Sequence, residues 1–435
     1  MKQVLIVSMN FAPDNNIAAI RPTKIAKYLK LTGNYKISVI TSNSFGKDAL
    51  HTDLINLVDF MHIVNKPFLF NKLLSGIVKI FSRITCPINS EVVPSQTIYN
   101  NNSIKSGIGH WLTLFEDYLY YCSAKKTVRR KLLYEFDVLF STYGPYSSHW
   151  IARYIKRKNR KVFWIADFRD PVKTALTPPL FKTYARNFAK RICNNANVAT
   201  SVSQGFLSHV LLPDIPKYII TNVFDTDDVT ITANSKSNNR FALVYTGTLY
   251  GGKRSMSVVF RVLKELIAEK VIDETRIVVE YAGNDFAIIK QQSDEYELGH
   301  IVLNHGFVSR ERSIEIQRSC SLLLSLTWNT VESTGVVTGK LLEYMLMGKP
   351  VVSIVVGDLS NSIVKEIMDT CRLGFCYEEA SNEKDYVLLK KYIHMQYCRF
   401  MEKKELIFDP ISDEINMYNY NNIVRKLEDL IPPEV

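Results

Sequence analysis

Apolar residues run in short unbroken stretches, most of them followed by a longer stretch in which they recur every three or four positions. Unbroken runs of this kind predict strands buried on both faces, and the periodic stretches predict helices. In the first half, residues 4–8 and 37–41 read as strands flanking a helix from Pro22 to Leu31. Further strands are expected at Val138–Ser141, Val162–Ala166, Val198–Ser201 and Tyr218–Thr221. A polar stretch from Thr226 to Asn239 interrupts the pattern, and a second series follows. Its strands are Ala242–Thr246, Arg276–Ala282, Ile301–His305, Ser321–Ser325 and Pro350–Ile354, with helices near Met256–Glu269, Arg310–Arg318 and Gly339–Met347. The closing residues read as helices broken at Pro410. Strands alternating with helices predict an α/β fold, with helices on both faces of parallel sheets. The expected organisation is a first domain over 1–225, a linker over 226–240, a second domain over 241–405, and a C-terminal helix within 406–435 that packs back on the first domain.

Length agrees with two domains, because 435 residues exceed what one hydrophobic core serves. With 46% hydrophobic and 22% charged residues the composition is that of a globular chain. The net charge of +11 favours anionic partners: nucleic acid, a membrane surface or a phosphorylated substrate. Basic runs such as Arg129-Arg130-Lys131 and Arg153 through Lys161 either meet such a partner or are solvated helix faces. Seven cysteines without a Cys-x-x-Cys pair form neither a disulfide framework nor a zinc site, so a reducing, cytoplasmic setting is expected. No apolar run approaches the ~18 residues that a spanning helix needs, and the first apolar stretch reads as a strand, so a soluble or peripheral protein is expected. The segment from Phe68 to Phe81, apolar with lysines at Lys72 and Lys79, either lies on a membrane surface or packs on its domain.

Two glycine-bearing segments carry the clearest chemistry. In the first, Thr338-Gly339 ends a loop and Lys340 opens a helical apolar pattern. Backbone N–H groups at such a helix start receive phosphate, and Gly339 lets the phosphate approach closely. Glu343 lies one turn further on the same side, where its carboxylate can accept from both hydroxyls of a ribose. In the second, Gly247-Thr248-Leu249-Tyr250-Gly251-Gly252-Lys253-Arg254 follows a strand and nearly spells a P-loop. Arg254 stands where a magnesium-binding hydroxyl would be needed, which disfavours an NTPase.

The stretch from Thr334 to Pro350 resembles the donor-site motif of glycosyltransferase family 4. That resemblance implies a GT-B fold, two Rossmann-like domains facing an interdomain cleft, and retaining transfer from a nucleotide-diphosphate sugar without a metal or other cofactor. The family's Glu-x7-Glu pattern is matched here only at its second position, Glu343, because Gly335 occupies the first. By the same resemblance Gly247, Thr248, Lys253 and Arg254 join Thr338, Gly339, Lys340 and Glu343 in holding the donor. The family often has an arginine where Thr248 stands, which thins the expected clamp on the diphosphate.

Three N-terminal segments extend the resemblance: the first matches the family's small-residue turn facing the cleft, and the other two resemble the acceptor-side loops of bacterial capsule and exopolysaccharide transferases. Asn10 through Pro22 includes Asn16 and Arg21; Arg21 either meets a phosphate or acceptor or pairs with a nearby carboxylate. Ser141 through His149 ends in a histidine that is either acceptor-side or structural. Trp164 through Pro171 carries Asp167, Arg169 and Asp170 as catalytic candidates, with Arg169 where many relatives have histidine. Asp167 and Asp170 either orient or deprotonate an acceptor hydroxyl, or cap the next helix and pair with Arg169. The implied partners are a nucleotide-sugar donor, a saccharide or lipid-linked acceptor, and the inner face of the membrane as a peripheral contact. A nucleotide-sugar 2-epimerase of the same fold is the alternative enzyme. No helix-turn-helix, zinc finger or RNP-like strand accompanies the charge, so nucleic acid is not an expected partner.

Overall fold

A computed structural model describes residues 1–14, 17–43, 58–65, 103–131, 135–170, 172, 179–228 and 239–433. Asn16, the segment from Phe68 to Phe81 and most of the polar stretch before Asn239 lie outside the described residues. The chain divides into two units, Met1–Ile220 with Val424–Val435, and Thr221–Ile423. Among the described residues, no helix is long and apolar enough to cross a membrane.

The first unit holds strands β1 (Lys2–Val7), β2 (Tyr35–Ser42), β3 (Phe60–Val64), β4 (Val138–Thr142), β5 (Phe163–Phe168), β6 (Val198–Ser201) and β7 (Lys217–Ile219). They form one parallel sheet in the order β3-β2-β1-β4-β5-β6-β7. Its helices are α1 (Ile17–Leu31), α2 (Ser103–Lys131), α3 (Tyr146–Lys158), α4 (Pro179–Ile192) and α5 (Gln204–His209). The core gathers Leu5 and Val7 of β1, Leu139 of β4, Trp164 of β5, Ile151 of α3 and Phe188 of α4. Helix α1 starts five residues before the expected Pro22, so the proline sits inside it. Pro22 has no N–H for the carbonyl four residues back. That carbonyl, of Ala18, accepts from Arg169 Nη1 instead.

The second unit runs β8 (Phe241–Thr246), α6 (Ser257–Ala268), β9 (Ile277–Ala282), α7 (Phe286–Asp294), β10 (Val302–Gly306), α8 (Arg310–Ser319), β11 (Leu322–Trp328), α9 (Gly339–Tyr344), β12 (Val351–Val356), α10 (Ile363–Thr370), β13 (Gly374–Glu378) and α11 (Asn382–Lys403). The closing helices α12 (Ser412–Asn416) and α13 (Tyr420–Glu428) follow, and the unit boundary falls inside α13. The parallel sheet has the order β10-β9-β8-β11-β12-β13. Successive strand residues point to opposite faces, and both faces are covered. Leu243, Val279, Leu324 and Val352 pack with Phe260 and Leu263 of α6 and Leu389 of α11. Val244, Val278, Leu323 and Val351 pack with Leu341 of α9 and Met368 of α10. Near-continuous apolar strands are the consequence of this double burial.

In each sheet the strand order reverses direction once, between β1 and β4 and between β8 and β11. Ligands of open α/β sheets bind beyond the carboxyl ends of strands at such a switch point, because adjacent loops diverge there. The loops after β1, β4, β8 and β11, together with the helices that follow them, contain most of the residues singled out in the sequence, and Asp167, Arg169 and Asp170 lie on and just after β5.

Candidate functional site

Helix α9 is only six residues long, shorter than the helix expected to Met347, which ends instead in hydrogen-bonded turns. The Thr338 hydroxyl accepts from the Leu341 N–H at 3.3 Å and caps it. Gly339 is exposed, and open space lies where a Cβ would stand. Apolar Leu341, Leu342 and Tyr344 anchor the turn in the core, which leaves Lys340 and Glu343 at the surface side of the helix.

Glu343 is 13% exposed and accepts from Lys340 Nζ at 2.8 Å and from Gln317 Nε2 at 2.6 Å. Arg310 Nη1 stands 3.8 Å from its other oxygen. Burial pushes the carboxyl up, but Lys340, Gln317 and Arg310 together outweigh burial and hold it below the ordinary glutamate range. The carboxylate is therefore ionised, largely enclosed, and left with one oxygen lightly engaged. Gln317 is fully buried and also donates to Thr246 Oγ1 at 2.9 Å, tying the end of β8 to α9. Gln317 and Arg310 were not singled out in the sequence, although their seven-residue spacing on the expected α8 puts both on one helix face.

The loop after β8 is built by close backbone approach. Gly247 has φ +147°, and its carbonyl accepts from the Tyr281 hydroxyl at 3.0 Å. A Cβ on Gly283 would come within 2.3 Å of that same carbonyl, so glycine is required there. Asp285 accepts from the Leu249 N–H at 2.6 Å and fixes the turn from the next strand. Thr248 is exposed, and its carbonyl accepts from the Tyr245 hydroxyl at 2.8 Å and from Arg254 Nη1 at 3.1 Å. Arg254 is buried, with its guanidinium 4.5 Å from the Tyr250 ring centre and 5.4 Å from that of Trp328. This arginine braces the loop, whereas Lys253 is exposed and carries the accessible charge. Gly335, with φ +75°, stands in the loop between β11 and α9.

In the first unit, Arg21 is 4% exposed and does not face a ligand. Its Nε and Nη2 donate to the two Asp167 oxygens at 3.1 and 2.8 Å, and Nη2 also donates to the Ile220 carbonyl at 2.8 Å. Asp167 accepts further from Thr142 Oγ1 at 2.9 Å and Thr200 Oγ1 at 2.8 Å. Burial pushes this carboxyl up, and Arg21 with the two hydroxyls more than reverses it. With no exposure and four bonds accepted, Asp167 has no room for an acceptor hydroxyl. The expectations of Arg21 as an acceptor contact and Asp167 as a catalytic group give way to a buried bidentate ion pair.

Arg169 is likewise a brace, donating to the carbonyls of Tyr143 at 3.0 Å, Gly144 at 2.7 Å and Ala18. Asp170 differs: 59% of its side chain is exposed, 3.3 Å from Arg169 Nε. His149 is fully buried against Trp164, Phe168 and Phe188, with Nδ1 bonded to Ser141 Oγ at 2.8 Å. Burial holds its pKa down at about 3, only partly opposed by Asp167, so it is a neutral core residue and not an acceptor contact. Asp225-Thr226-Asp227 spells Asp-x-Asp, a feature overlooked in the sequence; Asp225 is 2% exposed and accepts from the Asp227 N–H at 3.0 Å. Of the catalytic candidates, Asp170 alone is open to solvent.

Two parallel sheets, one in each of two α/β units, are the fold of GT-B glycosyltransferases. Solved structures similar to the whole chain bear this out. Anabaena Alr3699/HepE in complex with UDP and glucose matches with a TM-score of 0.56 at 14% identity, over 99% of this chain and 98% of that one. The lipopolysaccharide outer core galactosyltransferase WaaB matches with a TM-score of 0.55 at 12% identity, over all of both chains. The alpha,alpha-trehalose 6-phosphate synthase from Burkholderia multivorans matches with a TM-score of 0.59 at 10% identity, over 99% and 98%. No protein-family model matches the sequence, and no curated protein matches it.

Proposed function

We propose that this protein transfers a glycosyl group from a nucleotide-diphosphate sugar to a saccharide or lipid-linked acceptor in surface polysaccharide synthesis. The observation that carries the reading is Glu343, a buried-edge carboxylate held ionised one turn from an open glycine, beside the switch point of its sheet. A carboxylate so held accepts from vicinal hydroxyls, as the ribose of a nucleotide presents them, while Gly339 and Thr248 leave room for a diphosphate. The HepE neighbour, solved with UDP and glucose, supports a nucleotide donor on this fold.

In the transfer, the bond from the anomeric carbon to the diphosphate oxygen breaks and a bond to the acceptor oxygen forms. Negative charge grows on the departing diphosphate, and Lys253 and Lys340 neutralise it without a metal. The acceptor proton leaves on the same face to the departing phosphate, which gives retention. A peripheral position at the inner face of the membrane belongs to the same reading.

A thermal-shift screen of nucleoside diphosphates and their sugars tests it, run beside Glu343→Ala. At least one nucleotide should raise the wild-type midpoint and leave the variant unmoved. Equal responses would remove Glu343 from the donor site. Conversion of a donor to its epimer without acceptor would turn the assignment to the 2-epimerase.

A further inference from the structure

Helices α2 and α3 line an open cavity of about 580 Å³ that no step above uses. Four cations line it, Lys125 from α2 and Arg153, Arg157 and Lys158 from α3. Arg153 and Arg157 lie one turn apart on α3, on the face turned away from buried Ile155, and Lys158 follows in its last turn. Among the described residues none of the four pairs with a carboxylate, and Arg153 Nε is buried with no hydrogen-bond partner. Gathering like charges around a concave site is costly unless an anion completes it.

The remaining walls are aromatic. Tyr118 and Tyr121 come from α2, Trp150 and Tyr154 from α3, and Lys125 Nζ lies 5.1 Å from the Tyr154 ring centre. Above the cavity α2 continues its outward face through Phe115 and Trp111, at three and seven residues from Tyr118. Trp111, Phe115 and Tyr118 are 57%, 49% and 53% exposed. Trp and Tyr beside Lys and Arg are the composition of a protein surface at a bilayer's headgroup level, where amphipathic rings enter and cations meet phosphate. A soluble polyanion would account for the cations and leave the exposed aromatic row unexplained.

We infer that this cavity takes the phosphate headgroup of an anionic membrane lipid, with the α2 aromatic row laid into the bilayer interface. The site deepens the peripheral-membrane reading, and it stands whether or not the transferase reading does. A volume of about 580 Å³ suits one phosphoglycerol headgroup, since small-ligand cavities run from about 300 to 1,000 Å³.

The full-length protein is to be sedimented with vesicles of phosphatidylcholine alone and of phosphatidylcholine with one-third phosphatidylglycerol. Binding is expected only with phosphatidylglycerol, and it should weaken as salt is raised. Removing one cation near a charged bilayer weakens binding by roughly five-fold, so Arg153→Gln/Arg157→Gln should lose about 25-fold. Exposed Lys158→Gln, which leaves the buried walls intact, should lose roughly five-fold and serves if the double variant is unstable. Trp111→Ala should weaken binding at equal charge. Unchanged sedimentation of the variants, or equal binding to neutral vesicles, overturns the proposal. So does a protein that ignores vesicles but is held by an acidic oligosaccharide or RNA through the same arginines. Nucleotide stabilisation, measured on the same variants, is expected to be intact; its absence in wild type would count against the donor site alone.

Discussion

Two carboxylates with depressed pKa values have opposite meanings here, and neighbours decide which. Asp167 is closed on every side by Arg21, Thr142 and Thr200, while Glu343 holds Lys340 and Gln317 on one oxygen and has only Arg310, at 3.8 Å, near the other. Breaking a buried ion pair from one side leaves an uncompensated charge, at about 3–5 kcal/mol. Asp167→Asn is therefore expected to lower the unfolding free energy, read from a urea titration, by an amount of that order. A variant of unchanged stability but reduced turnover would return Asp167 to the chemistry. For Glu343 the sign follows from its lowered folded pKa. Its contribution is present above the unfolded value of about 4.3 and is lost as pH falls through the lower folded value. Wild type should thus lose stability more steeply than Glu343→Gln on acidification below about pH 4.3, and parallel urea series in the two proteins would read the difference. Parallel curves would mean that Lys340 and Gln317 do not hold the charge.

At the scale of elements, the central strands were the most legible, and of the edge strands β7 and β10 were read although both are exposed or half-buried throughout. The strands at the centre of each sheet, such as β1, β8 and β11, are unbroken apolar runs because helices cover both faces, and their expected bounds fall within a few residues of the observed ones. The edge strands β3 and β13 were not read. β3 alternates irregularly between exposed and half-buried positions, and β13 opens on Gly374, held at φ +143° against the Val351 carbonyl. Helix α2 escaped because aromatic residues occupy its exposed face as well as its buried one, which erases the amphipathic period. The donor-side loops were visible through their glycines, but the bracing role of Arg254 depends on Trp328, far away in sequence. On the other side, Arg21, Arg169 and His149 were polar residues in the right loops. Only their burial assigns them to the framework, and spacing along a chain does not report burial by distant strands.

At the scale of the whole molecule, the two ends of the chain meet in the first unit. The chain enters the second unit at Thr221 and leaves it at Ile423, so the first unit is completed by residues from both termini. Lys2 Nζ donates to the Pro432 carbonyl, and Asn34 Nδ2 donates to Glu428 Oε1 at 3.3 Å. Burial, with Glu428 close by, pushes the Tyr35 hydroxyl up to about 12. Val424, Leu427 and Ile431 are buried in this last segment. Full burial of such a side chain is worth about 1.5–3 kcal/mol, so deleting 424–435 should cost on the order of 5 kcal/mol, comparable to the stability of many domains. The loss should fall on one unit. In hydrogen exchange, amides of β1 and β2 are expected to lose protection while those of β11 and β12 keep theirs. Equal loss in both sheets would show that the tail serves the chain as a single cooperative body, and that the two units do not unfold separately.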